Sequence, residues 1–124
     1  MRRLEIHIPS YKRPNGCLTV HLLNKIGICK DEIYVHVCED DFEGYKQTIG
    51  DISIVLPFPF HKKTDHLNHI LENADFKNKL ILTIDDDIKR FCKFNLPTSE
   101  KKFGSISNIT TRDEFISMLE YCDS

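Results

Sequence analysis

At 124 residues the chain suffices for one domain with a modest core, and its 40% hydrophobic and 29% charged residues mark a folding sequence, not a disordered one. A formal net charge of -2 at pH 7 gives no electrostatic footprint for tight nucleic-acid binding. No apolar stretch approaches the roughly 20 residues of a membrane span, and Met1-Arg2-Arg3 leads into a strand pattern instead of a signal-peptide apolar segment, so no membrane partner and a cytoplasmic location are expected.

Leu4, Ile6 and Ile8 alternate with polar residues and predict a first strand that stops at Pro9 and Ser10. Thr19, Leu22, Leu23 and Ile26 then recur at i, i+3, i+4 and i+7, one apolar face of a helix, with Gly27 placed to end it. Ile33, Val35 and Val37 alternate again, so a second strand runs into Glu39, Asp40 and Asp41, and a short helix is expected around 43–48. A third strand over 52–56 is expected to halt at Pro57 and Pro59. Leu67, Ile70, Leu71 and Ala74 predict a helix over 63–74. The apolar run from Leu80 to Ile84 reads as a buried strand that ends abruptly in Asp85, Asp86 and Asp87.

Beyond that point a short strand is expected within 89–94 and a loop over 97–108. Thr111 and Glu114 have the spacing of a capping box, and Phe115, Met118, Leu119 and Cys122 line one face of a helix that runs towards Ser124. Strand and helix thus alternate through most of the chain. This predicts an α/β fold, Rossmann-like, with a mostly parallel sheet and helices on both faces: a nucleotide-binding domain over 1–96, then a loop and helix over 97–124.

Three adjacent carboxylates repel one another and are tolerable mainly when a hard divalent cation or several donors neutralise them. A single Asp after a strand would signify only a turn or a cap. Each strand's carboxyl end carries polar residues: Ser10, Tyr11, Lys12 and Arg13 after the first, Glu39 to Asp41 after the second, His61, Lys62 and Lys63 after the third, and the triple aspartate after the fourth. In a doubly wound sheet these ends meet at one edge, where the strand order reverses and ligands bind. Acids, bases and an aromatic together suit a nucleoside diphosphate.

Other residues read as structure. The pairs Arg2-Arg3, Lys12-Arg13, Lys62-Lys63 and Lys101-Lys102 read mostly as solvated surface. Cys17, Cys29, Cys38, Cys92 and Cys122 lack paired spacing, which predicts reduced, mostly buried thiols, not disulfides or a zinc knuckle. His61, His66 and His69 invite a zinc reading, but no Cys or acid at ligand spacing completes the set, so they read as incidental to an exposed helix. Phe58, Phe60, Phe91 and Phe94 read as core or loop anchors.

Four stretches, in order, carry a resemblance: Ile8 to Pro14 (IPSYKRP), the acidic end of the second strand, Lys63 to Asn68 (KTDHLN), and Ile84 to Asp87 (IDDD). Together they resemble GT-A fold glycosyltransferases of the family-two type, within which the first and last look most like glycosyltransferases associated with hypermodified bases of phage DNA. The resemblance spans about Leu4 to Phe91 and implies the nucleotide-binding half of a GT-A fold.

It further implies a nucleotide-sugar donor as partner and a Mn2+ or Mg2+ cofactor. Asp85 and Asp87 match the metal-holding acids of the D-x-D motif, with Asp86 beside them at the donor. Such a pair points to one side of an extended segment while Asp86 points to the other. Glu39, or Asp40 if the register is one off, matches the acid that recognises the nucleobase. Ser10, Tyr11 and Arg13 match the loop beneath base and ribose, while Lys63 and Asn68 match a donor-side Lys-x-x-x-Leu-Asn segment.

The acceptor implied by the narrower resemblance is a modified DNA base, and the location host cytoplasm. The family's acceptor base lies well after the D-x-D motif, and no residue here matches it: Glu100, Asp113, Glu114 and Glu120 sit in no recognisable motif. The expectations are therefore a metal-dependent glycosyltransferase, or a non-catalytic nucleotide-sugar-binding module or fragment completed by a partner chain or a second copy.

Overall fold

A computed structural model describes residues 3–95, 97, 103 and 105–123. Glu100, the Lys101-Lys102 pair, Arg2, Ser124 and the side chains of Phe94 and Cys122 lie outside the described residues. In chain order the elements are β1 (Arg3–Pro9), α1 (Leu18–Lys25), β2 (Ile33–Cys38), α2 (Phe42–Ile49), β3 (Ile54–Phe58), α3 (Lys63–Glu72), β4 (Lys79–Thr83), β5 (Cys92–Asn95), β6 (Ser105–Asn108) and α4 (Arg112–Asp123). The first four strands form one parallel sheet in the order β3-β2-β1-β4, and β5 and β6 pair as an antiparallel hairpin. The α/β fold read from the sequence is therefore the fold observed.

The period of two along each strand divides the sheet into two chemically different faces. Leu4, Ile6 and Ile8 of β1 join Ile33, Val35 and Val37 of β2 in the main core. Val20 and Leu23 of α1, Tyr45 and Ile49 of α2, and Phe115 and Leu119 of α4 complete that core. The opposite face carries Glu5, His7, Tyr34 and His36, and α3 lies against it through His66 and Ile70.

Helix α1 ends as its sequence dictates. Gly27 takes a positive φ of 98°, its N–H donates to the Asn24 carbonyl, and the Ile28 N–H donates to the Leu23 carbonyl. These are the two bonds of a Schellman stop, sealed by the buried pair Leu23 and Ile28.

Four expectations are corrected. β3 continues through Pro57, which stands in register with Val37; β3 is the sheet's edge, where a missing N–H is tolerated. β4 is the other edge and is half-buried, not buried: its apolar run packs on β1 with one flank unpaired within this sheet. Residues Ser105–Asn108, read as loop, form β6 because they find β5 as partner. At α4, Thr111 caps the Glu114 N–H as expected, but Glu114 Oε1 accepts from the Thr110 N–H, one residue earlier than a capping box requires.

Candidate functional site

The strand order reverses between β1 and β4, and at the carboxyl ends of these strands lies a cleft of about 280 Å3. It is lined by Pro9, Ser10, Tyr11, Arg13, His61, Lys62, Lys63, His66, Asp85, Asp86 and Asp87. Two of the basic pairs read as solvated surface thus contribute Arg13, Lys62 and Lys63 to the acid turn's own cleft.

The acid turn is held from behind by α1. The Thr19 N–H donates to the Asp86 carbonyl at 3.1 Å, the Thr19 hydroxyl donates to the Asp85 carbonyl at 2.5 Å, and the Ile88 N–H donates to that hydroxyl at 2.9 Å. Asp86 is buried, and its carboxylate accepts from the Ser10 hydroxyl at 2.6 Å and from Arg13 Nη1 at 3.3 Å. With the Ser10 proton committed to Asp86, the fully buried Tyr45 hydroxyl donates to Ser10 Oγ at 2.7 Å and accepts the Arg13 backbone N–H at 2.7 Å. Burial holds the Tyr45 phenol above its ordinary pKa, which keeps it neutral and able to donate. Beneath the network the Cys17 thiol is pushed up to about 12 by burial and by the Asp86 charge, so it is inert.

The other two acids face solvent and pair with cations: Asp85 with Lys63, on the first turn of α3, and Asp87 with Arg13 at 3.8 Å. The segment is a turn, not an extended strand, so alternation does not decide where these side chains point. Lys12 adopts φ 52°, a left-handed conformation that costs a non-glycine residue about 1–2 kcal/mol, and its N–H donates to Asp41 at 3.3 Å. Backbone strain of this kind concentrates at functional loops.

Of the residues expected at the site, the cleft gathers Ser10, Tyr11, Arg13, Lys63, Asp85, Asp86 and Asp87. It does not gather Glu39, Asp40 or Asn68; the KTDHLN segment instead presents His66. Asp85 and Asp87 are exposed at the cleft and offer carboxylate oxygens, the hard donor type that Mg2+ and Mn2+ prefer. The sequence reading missed Thr19 and Tyr45. Tyr45 and Ile49 share a helical face at i and i+4, a signal for burial but not for the hydroxyl's task.

The α3 histidines are not incidental. His66 is buried, and with Phe58, Phe60, His69 and His36 it forms a cluster of aromatic rings whose neighbouring centroids lie 4.6 to 6.4 Å apart. His36 continues through His7 to Tyr34. The tautomers follow from Glu5. Burial raises this carboxyl, but Lys79 and His7 outweigh it and hold it below its ordinary value, so it accepts. His7 Nε2 therefore donates to Glu5 at 3.1 Å, its Nδ1 accepts from His36 Nε2 at 2.8 Å, and His36 Nδ1 is left buried without a partner among the described residues. Burial, then the neighbouring histidines, drive His36 down to about 3.

His61 has a separate environment. Its Nδ1 lies 3.2 Å from Cys38 Sγ, and Asp40 completes a group of three potential metal ligands. The missing cysteine and acid were far away in sequence, at the end of the neighbouring strand. Cys38 and Cys17 are buried free thiols, whereas Cys29 and Cys92 are exposed ones. No described helix is long and apolar enough to cross a membrane. No protein-family model matches the chain, and no curated protein matches it in sequence.

Proposed function

We propose that the chain binds the donor of a metal-dependent glycosyltransferase, a nucleotide-diphosphate sugar, in the cleft between β1 and β4. The supporting observation is the meeting of Arg13, Lys62 and Lys63 with Tyr11 and an acid turn at the sheet's switch point. Cationic side chains and a shared divalent ion are what a diphosphate requires, and the half-exposed Tyr11 ring offers a face for a base or ribose. Three of the four stretches that resemble family-two glycosyltransferases, those of Ser10 to Arg13, Lys63 and Asp85 to Asp87, supply residues to this cleft.

Asp85 and Asp87 would hold Mn2+ or Mg2+, which supplies neutralisation of the diphosphate leaving group. Lys63 and Arg13 sit where they can meet phosphate oxygens. Asp86 and Ser10, tied through Tyr45, fix the Arg13 loop and so orient the donor without touching the reacting bond.

A second reading is a nucleotide-sugar-binding module that acts with another chain. It is favoured by Glu114, an acid after the aspartates, which is already engaged as helix cap and as partner of Lys93 at 2.8 Å. Incubation with nucleotide sugars and Mn2+ separates the two readings. Release of nucleoside diphosphate, lost in Asp87→Asn, supports the enzyme; binding without release supports the module; neither binding nor release overturns both.

A further inference from the structure

We propose that Cys38, Asp40 and His61 form a second, softer metal site, suited to zinc, at the rim of the cleft. The three residues come from the carboxyl ends of adjacent strands. Cys38 is the last residue of β2, Asp40 lies two positions on in the 3-10 turn Glu39–Asp41, and His61 follows β3, whose Phe58 is in register with Cys38. Their donor atoms all lie within 4.8 Å of one another. Tetrahedral zinc, with bonds of about 2.3 Å to sulfur and 2.0–2.1 Å to nitrogen, needs its sulfur and nitrogen ligands about 3.6 Å apart. The present Cys38 Sγ to His61 Nδ1 distance of 3.2 Å is within a small side-chain adjustment of that value.

The anchor and the movable parts are also distributed as such a site needs. Cys38 is 3% exposed, so its sulfur is fixed by the sheet, while Asp40 and His61 are exposed and free to close on an ion. Glu39 and Asp41 flank Asp40 on the same turn and add negative charge. Thiolate, imidazole and carboxylate together select a borderline ion such as Zn2+ over Mg2+ or Mn2+. This separates the site chemically from the all-oxygen pair Asp85 and Asp87. Three protein ligands leave zinc one coordination position for water or a ligand oxygen, as in open zinc sites. His61 lines the cleft as well, so an ion here would lie beside whatever the cleft binds.

The test uses Co2+ as a coloured stand-in for zinc and does not depend on the donor proposal. Titration of the reduced protein should give one bound ion with a thiolate-to-cobalt charge-transfer band in the near ultraviolet and intense tetrahedral bands in the visible. Zn2+ should displace it, and excess Mg2+ should not. Cys38→Ser and His61→Ala should abolish the charge-transfer band and the tetrahedral bands respectively, while Cys29→Ser and Cys92→Ser should change neither. His61 is exposed, so His61→Ala serves where Cys38→Ser disturbs the strand. Absence of the band in folded wild-type protein, persistence of the full spectrum in His61→Ala, or its loss in Cys29→Ser or Cys92→Ser would overturn the site.

Discussion

Tyr45 couples two loops through a single hydroxyl. It holds the Arg13 backbone and, through Ser10, the Asp86 carboxylate, in a fully buried position where an unmatched polar group costs about 1–3 kcal/mol. Tyr45→Phe should therefore lower unfolding free energy by about 1–2 kcal/mol in a urea titration, and Asp86→Ala by somewhat more, because it leaves Ser10 without its charged acceptor and takes from Arg13 the nearer of its two carboxylates. Lys63→Ala should behave differently. The Lys63 and Asp85 side chains are each 56% exposed, so their pairing contributes little to stability, whereas loss of a cleft cation should weaken nucleoside diphosphate binding severalfold. A denaturation series set beside a binding series on these variants separates the two roles. At this scale the acids and bases of the cleft were legible, because charge clustering after strands is a local pattern. Tyr45 and Thr19 were not, since their tasks depend on partners 32 and 66 residues away.

Helix α4 is docked by Phe115 and Leu119 in the core and by a specific ion pair at its first turn. Arg112 forms a two-pronged pair with Glu32 on the turn before β2, with Nη2 to Oε2 at 2.7 Å. This pairing holds Glu32 below the ordinary carboxyl range. Its stabilisation is present above the unfolded value of 4.5 and is lost as pH falls through that value and below. Arg112→Ala should cost about 1–2 kcal/mol at neutral pH and progressively less as pH falls below 4.5, as urea denaturation over a pH series would show.

The face beneath α3 gives a second acid-sensitive term. The unfolded His36 imidazole binds a proton near 6.5 and the folded one only near 3, so between these values the unfolded state holds more protons and stability falls as pH is lowered. His7 and His66 are shifted the same way, first by burial. Replacing His36 by Phe should flatten the fall, which is at most about 1.4 kcal/mol per pH unit for one histidine. Periodicity found α3 but misread its histidines, because the rings packed against them come from β2, β3 and the segment just after β3. Pro57 misled for a related reason: whether proline stops a strand depends on whether that strand is an edge, and edges are set by topology.

At the scale of the molecule, the order β3-β2-β1-β4 brings four polar strand ends into one region and puts the reversal beside the triple aspartate. That the polar strand ends would share one edge followed from strand and helix alternation and the rule for doubly wound sheets; the strand order itself did not. What did not follow was the division of labour among the aspartates, which depends on their turn geometry: Asp86 is the buried clamp, while Asp85 and Asp87 remain available at the cleft. The central claim, that this cleft takes a nucleoside diphosphate together with a divalent ion, is tested most directly by the melting temperature with nucleoside diphosphates, with and without Mn2+. Stabilisation is expected only when both are present, on the order of 10 °C at a hundredfold excess over Kd, and should be lost in Asp87→Asn. A folded protein whose melting temperature moves with no combination of metal and nucleotide, or whose shift survives Asp87→Asn unchanged, would contradict it.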